Sequence, residues 1–184
     1  MRCDLAPPTG DVIRGRNLMK IRKYRETDWG QVWPMLERVF RAGETYAFSP
    51  EISEQEAHTV WIDMPQETYV AIGKNSKMLG TYYIKPNQPA LGAHVCNCGY
   101  IVSEQARGRG IAAKMCQHSQ RIALESGFLA MQFNLVVSTN EAALHLWKKL
   151  GFQVIGRLPK AFKSRRFGYV DAFVMYKELG TSTN

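Results

Sequence analysis

The chain has 184 residues, 45% hydrophobic and 22% charged, a balance that fits one ordinary globular domain. No apolar run is long enough to cross a bilayer, and residues 1–17 lack the apolar segment of a secretory signal, so a soluble cytoplasmic protein without a membrane partner is expected. The formal net charge of +8 comes from scattered Lys and Arg with no basic stripe or nucleic-acid-binding motif, which argues against DNA or RNA as the partner.

In chain order, residues 1–18 read as an extension, basic, aperiodic and broken by Pro7, Pro8 and Gly10, with Met19 as an alternative start. One domain is expected over 19–179. Residues 19–25 alternate as a first strand. Thr27-Asp28 offers an N-cap to a helix with Val32, Leu36, Val39 and Phe40 at helical spacing, and Pro34 falls in its first turns. After a loop over 42–50, Ser53-x-x-Glu56 forms a capping box for a second helix carrying Ala57, Val60 and Trp61. Strands are predicted over 68–72, 78–85 and 95–102. A helix over 110–125 stops at Gly127, an apolar strand covers 128–137, and a helix over 140–150 is closed by Gly151. Strands from 152 and over 169–176 complete the chain. The order is β-α-α-β-β-β-α-β-α-β-β. Hairpin spacing in the middle predicts antiparallel pairing, and the strand–helix–strand unit from Val95 onward predicts a parallel crossover. The fold class is therefore α/β, a mixed central sheet with helices on both faces.

Chemistry concentrates at Arg107-Gly-Arg-Gly-Ile-Ala112, between a strand and a helix. Gly108 and Gly110 carry no side chains that would keep the main chain from a phosphate. The following helix offers unpaired amides and a partial positive charge, and Arg107 and Arg109 add full charges. A nucleoside-triphosphate loop would need Gly-Lys-Ser/Thr, and a dinucleotide fingerprint would need a third glycine and a distal acid; neither is present. The cysteines are Cys3, Cys96, Cys98 and Cys116, and Cys96-x-Cys98 has neither redox-pair nor zinc-knuckle spacing. His94, Cys96 and Cys98 would share one face of a strand, but small packed residues are the simpler reading, and no metal is expected.

Arg107-x-x-Gly110-x-Ala112 resembles the Arg/Gln-x-x-Gly-x-Gly/Ala signature of the GNAT superfamily of N-acetyltransferases. Asn140-x-x-Ala143-x-x-x-Trp147-Lys-Lys-Leu-Gly151-Phe152 resembles its downstream Asn-x-x-Ala…Tyr-x-x-x-Gly-Phe stretch. The resemblance implies a GNAT fold with splayed central parallel strands and acetyl-CoA as co-substrate. Its pyrophosphate would lie on Arg107, Gly108, Arg109, Gly110, Ile111 and Ala112, and its pantetheine arm along Ile101 and Val102, with Asn140 and Trp147 beside it. Most members have Tyr where this chain has Trp147. That Tyr is the acid assigned to the leaving thiolate, and an indole N–H donates a hydrogen bond without releasing its proton. Gly80-Thr-Tyr-Tyr-Ile-Lys-Pro-Asn87, His94-x-Cys96-Asn97-x-Gly99 and Phe133-Asn-Leu-Val-x-x-Thr139-Asn140 are similar to the branch that acetylates azetidine-2-carboxylate and other proline analogues in yeast. That similarity implies Asn97, Asn134 and Leu135 as acceptor-binding residues.

The residues support the asparagines independently, because Asn134 interrupts an apolar strand and an amide there needs a partner. Direct attack of an amine on the thioester would use backbone amides near Val102 for the developing oxyanion. The catalytic base is open among Glu44, His94 and Glu104. The expected partners are a small amine or amino acid and, in assembly, a second copy of the chain. The alternatives are an acetyltransferase of phosphinothricin-like compounds, polyamines or protein N-termini, and a non-catalytic acyl-CoA-binding module.

Overall fold

The alternation at residues 19–25 becomes an edge strand, β1 (Lys20–Lys23), antiparallel to β2 (Glu67–Ile72) in the computed structural model, which describes residues 19–180. The extension expected over 1–18 lies outside the described residues. Antiparallel hairpin pairing continues through β3 (Met78–Pro86) and β4 (Val95–Val102). The crossover helix α3 (Ile111–Glu125) then returns the chain to β5 (Ala130–Val137), parallel to β4. A helix, α4 (Glu141–Lys149), leads to β6 (Gln153–Ser164) and β7 (Gly168–Glu178), giving the sheet order β1-β2-β3-β4-β5-β7-β6. The predicted order and the mixed α/β class are both observed.

Two helices, α1 (Trp29–Ala42) and α2 (Glu54–His58), the second running on into a π turn over Thr59–Asp63, cover one face. They bury Val32, Leu36, Phe40, Ala57 and Trp61 against Val70 and Ile101. The other face packs Met115, Cys116 and Ala123 of α3 and Trp147 of α4 against Tyr82, Cys98, Met131 and Phe133. Trp61, fully buried, satisfies its indole N–H by donating to Thr81 Oγ1 at 3.2 Å. The capping box at Ser53 forms as expected: its N–H donates to Glu56 Oε2 at 2.8 Å and its Oγ accepts from Glu56 N–H at 3.2 Å.

Asp28 corrects one expectation. Its side chain makes no cap bond to α1. Instead its two carboxylate oxygens accept from Arg22 Nη1 and Nη2, each at 2.7 Å, and one also accepts from Arg25 N–H at 2.8 Å. The pair ties the first strand to the root of α1. The last hairpin is also longer than expected: β6 runs 12 residues through Pro159. The register slips between Leu158 and Phe162, where Lys160 takes φ 52° and its N–H is held by Asp171 Oδ1 at 2.9 Å. Most of β6 is exposed, so apolar periodicity does not mark its extent.

The sheet opens at one place. β4 and β5 are paired at only three positions, Val95↔Ala130, Cys96↔Met131 and Asn97↔Gln132, and part beyond them. β5 then carries a bulge between Phe133 and Val136 against β7, so Asn134 and Leu135 fall outside the regular ladder.

The Arg22 guanidinium holds the Asp28 carboxyl below its ordinary value of 3.8, the backbone amide of Arg25 adding to the effect. A depressed native pKa contributes stability above the unfolded value, which is lost as pH falls through the native one. Asp28→Asn should therefore cost about 1.5–3 kcal/mol at neutral pH. Its deficit should shrink as pH falls below 3.8. Urea unfolding of both proteins across that range checks this.

Candidate active site

The parting of β4 and β5 defines the site because it leaves main-chain groups without strand partners. Asn87 N–H donates to Val95 O at 2.8 Å and Ser103 N–H to Leu79 O at 2.9 Å, so the odd-numbered residues of β4 bond to β3. By the alternation of an antiparallel ladder, Tyr100 and Val102 turn their amides and carbonyls toward β5, where the strand is missing. Of the expected main-chain contacts, Val102 faces the opening. Ile101 does not, since its main chain bonds to Thr81 and its side chain packs under α1.

At the mouth of this opening lies the glycine turn. Gly108 and Gly110 adopt φ 71° and 73°, and a Cβ built on either meets nothing within 4 Å. Both lie in the left-handed region that favours glycine, and both face open space. Lys114 is the first residue of α3 whose amide finds a backbone acceptor, Gly110 O at 3.1 Å. Among the described residues, the amides of 108–113 have no hydrogen-bond partner. The two arginines diverge: Arg107 lines a cavity of about 260 Å³ beneath α1, and Arg109 one of about 190 Å³ beside Lys74, Lys77 and Lys114. Unpaired amides, a helix N-terminus and these cations fit a polyphosphate. Ile111 is buried under the helix, so only its main chain is available to a ligand. Ala112 is half-buried beside it.

On the α3/α4 face, Trp147 sits across the parting, its ring 5.1 Å from Tyr100 of β4 and 5.1 Å from Phe133 of β5. Its indole nitrogen is not among the buried polar atoms left without a partner among the described residues. Asn140 caps α4, its Oδ1 accepting from Ala143 N–H at 3.3 Å, which leaves its amide N–H groups for a ligand.

On the α1/α2 face, Asn97 is 8% exposed and marks the last paired position. Its Nδ2 donates to Gln132 O at 2.9 Å, and its Oδ1 accepts from Tyr83 Oη at 3.2 Å. It therefore pins the two strands where they separate. Gly99 permits this: a Cβ there would lie 2.5 Å from Tyr83 Cε1 and 3.1 Å from Tyr46 Oη. Burial raises the pKa of both tyrosines, which keeps them neutral donors. Tyr46 Oη donates to Tyr100 O at 3.0 Å, one of the carbonyls exposed by the parting. Tyr46 and Tyr83 escape a motif search, because their sequence signal is that of ordinary core aromatics.

Asn134 departs from its expected setting. It is exposed, donating to Asn87 Oδ1 at 2.7 Å and accepting from Gln132 Nε2 at 2.8 Å. The bulge turns it out of the apolar ladder, so it meets no buried environment. Asn97, Gln132 and Asn134 nonetheless share one face, with half-buried Leu135 next to them in the bulge.

The candidate bases lie elsewhere. Glu44 caps the β6–β7 turn, accepting from Ser164 Oγ at 2.6 Å and Arg166 N–H at 2.9 Å. Glu104 forms an ion pair with Arg38 next to the glycine turn. His94 is exposed before β4, about 10 Å along the strand from Asn97. Of the three, Glu104 lines the cavity that also holds Val102 and Arg107. His94 precedes the strand, so the shared face with Cys96 and Cys98 does not form; both thiols are buried, and burial raises the Cys98 pKa. No group of three metal-binding side chains occurs among the described residues, and no helix there is long and apolar enough to cross a membrane.

The acetyltransferase (GNAT) family matches residues 31–152. The chain is 31% identical to N-acetyltransferase aca1 of Schizosaccharomyces pombe over 148 residues, 72% of this chain and 71% of that protein. A solved GCN5-related N-acetyltransferase from Kribbella flavida superposes with a TM-score of 0.83 at 40% identity, over 88% of this chain and 98% of that one. A phosphinothricin acetyltransferase from Sinorhizobium meliloti, solved in complex with AcCoA, shares the fold at TM-score 0.78 and 18% identity, over 90% of each chain.

Gly110→Glu should abolish CoA binding by placing bulk and negative charge on the turn. Its left-handed backbone costs about 1–2 kcal/mol, so the protein should stay folded. Titration calorimetry on protein with native circular dichroism checks this. Trp147→Phe keeps most of the ring and loses the N–H, so turnover should fall about tenfold or less. A drop on the order of a thousandfold at unchanged CoA affinity would make the indole N–H essential.

Proposed function

The chain belongs to the acetyltransferase (GNAT) family, and we propose that, as an acyl-CoA-dependent N-acetyltransferase, it acetylates the nitrogen of a small amino acid of the proline-analogue type. The observation that carries this reading is the two-sided opening between β4 and β5. An anion-binding turn lies at its mouth, and an amide-rich face, Asn87, Asn97, Gln132 and Asn134, lies beside its closed end.

Acetyl-CoA, when bound, supplies an activated acetyl group as a thioester. The acceptor nitrogen gains that group and loses a proton, and CoA leaves as its thiol. The chain's own contribution is positional. Residues 108–113 and the arginines hold the phosphates, Val102 and Tyr100 present main-chain groups to the pantetheine arm, and Asn140 and Trp147 close the far side. Asn97, already bound to Gln132 O and Tyr83 Oη, keeps the closed end at a constant width and has one N–H left for an acceptor. Asn134 has the same remaining capacity on an exposed surface. A non-catalytic acyl-CoA-binding module is the second reading, favoured by Trp147 in place of an acid, and release of free thiol separates the two.

Steady-state kinetics with azetidine-2-carboxylate and with azetidine tests the proposal. The acid should be acetylated far better than the amine. Asn134→Ala should lower acceptor kcat/KM by about 1.5–3 kcal/mol with little change in the KM for acetyl-CoA. Equal rates for the two acceptors, or unchanged kinetics in Asn134→Ala, would reject the amino-acid acceptor and leave the family activity standing. Asn97→Ala is a less clean variant, since it also leaves Gln132 O and Tyr83 Oη unpaired inside the fold.

A further inference from the structure

A lysine sits among the amides on the acceptor face. Lys85 of β3 is the register partner of Asn97, and it shares the sheet face of Tyr83, two residues before it on the same strand. It is half-buried, with Nζ 5.6 Å from the centre of the Tyr83 ring, whose hydroxyl donates to Asn97 Oδ1. Among the described residues it has no carboxylate partner. Its polar neighbours across the face are carboxamides, Asn87, Gln132 and Asn134, and they bond to one another in a line. Asn87 Nδ2 remains unengaged at the end of that line among the described residues. A neutral amide cluster does not compensate a cation, so the face carries one uncancelled positive charge beside the closed end of the opening.

We propose that Lys85 binds the carboxylate of the acceptor, with Asn87 Nδ2 as a second donor to it. The inference rests on the amino-acid reading above and adds the group that discriminates amino acid from amine. The ammonium on its aromatic platform is partly withdrawn from water, which strengthens a charge-assisted bond to an anion. The same charge repels a simple ammonium, so it also disfavours an acceptor without a carboxylate.

The test compares wild type, Lys85→Met and Lys85→Arg on azetidine-2-carboxylate and azetidine, with thermal unfolding and the KM for acetyl-CoA measured alongside. Lys85→Met should lower kcat/KM for the acid on the order of 10- to 100-fold and leave that for azetidine unchanged or higher. Lys85→Arg, which keeps the charge, should retain most of the preference and covers the case in which the methionine variant does not fold. If the wild type prefers the acid and Lys85→Met keeps that preference, or loses both acceptors equally, the assignment of Lys85 is wrong and the amino-acid reading stands. If the wild type treats the two acceptors alike, both fall.

Discussion

Everything proposed for this protein depends on two neighbouring strands ceasing to pair. β4 and β5 form a parallel ladder only as far as Asn97 and Gln132, and the same two residues are bridged by the Asn97 carboxamide. Buried main-chain groups normally find partners, so an interior strand that loses its neighbour demands a substitute. One carbonyl, that of Tyr100, is taken by Tyr46 from the α1/α2 side. The amides of Tyr100 and Val102 remain, and a ligand with its own amides can fill the missing strand by adding to the sheet edge. Trp147 spans the gap on the other face, packed on both Tyr100 and Phe133, so the strands stay apart without the interior collapsing.

The two faces thereby divide the work. The glycine turn carries unpaired amides, open glycines and two arginines that line separate cavities, the features on which the proposed polyphosphate site rests. The α1/α2 side is aromatic and amide-lined, with Lys85 beside it, and the proposed amino-acid acceptor rests on those groups. Tyr46 and Tyr83 are buried between them, and that burial raises both pKa values above the ordinary 10.0.

Much of this was legible in the residues. Element order followed from hydrophobic periodicity, and the glycine turn from two glycines and two arginines at a strand-to-helix junction. Asn97 was marked as an acceptor-binding residue by the resemblance. What stayed hidden was long-range. Asp28 looked like a helix cap because its partner Arg22 lies on another element. Asn134 looked buried because a β-bulge leaves no periodic trace, and Glu44 looked free because Ser164 and Arg166 reach it from 120 and 122 residues away. The extent of β6 was invisible because an exposed ribbon has no apolar alternation to read. Tyr83 and Lys85 have meaning only once register places them beside Asn97.

Hydrogen exchange resolved to single amides, with and without acetyl-CoA, tests the central claim most directly. If the cofactor fills the place of the missing strand, added acetyl-CoA should slow exchange at Tyr100 and Val102 and across residues 108–113. The amides of Gly99 and Ile101, bonded to β3 throughout, should change little. Protection that spares Tyr100 and Val102, or that appears at the β2–β3 hairpin instead, would contradict the account.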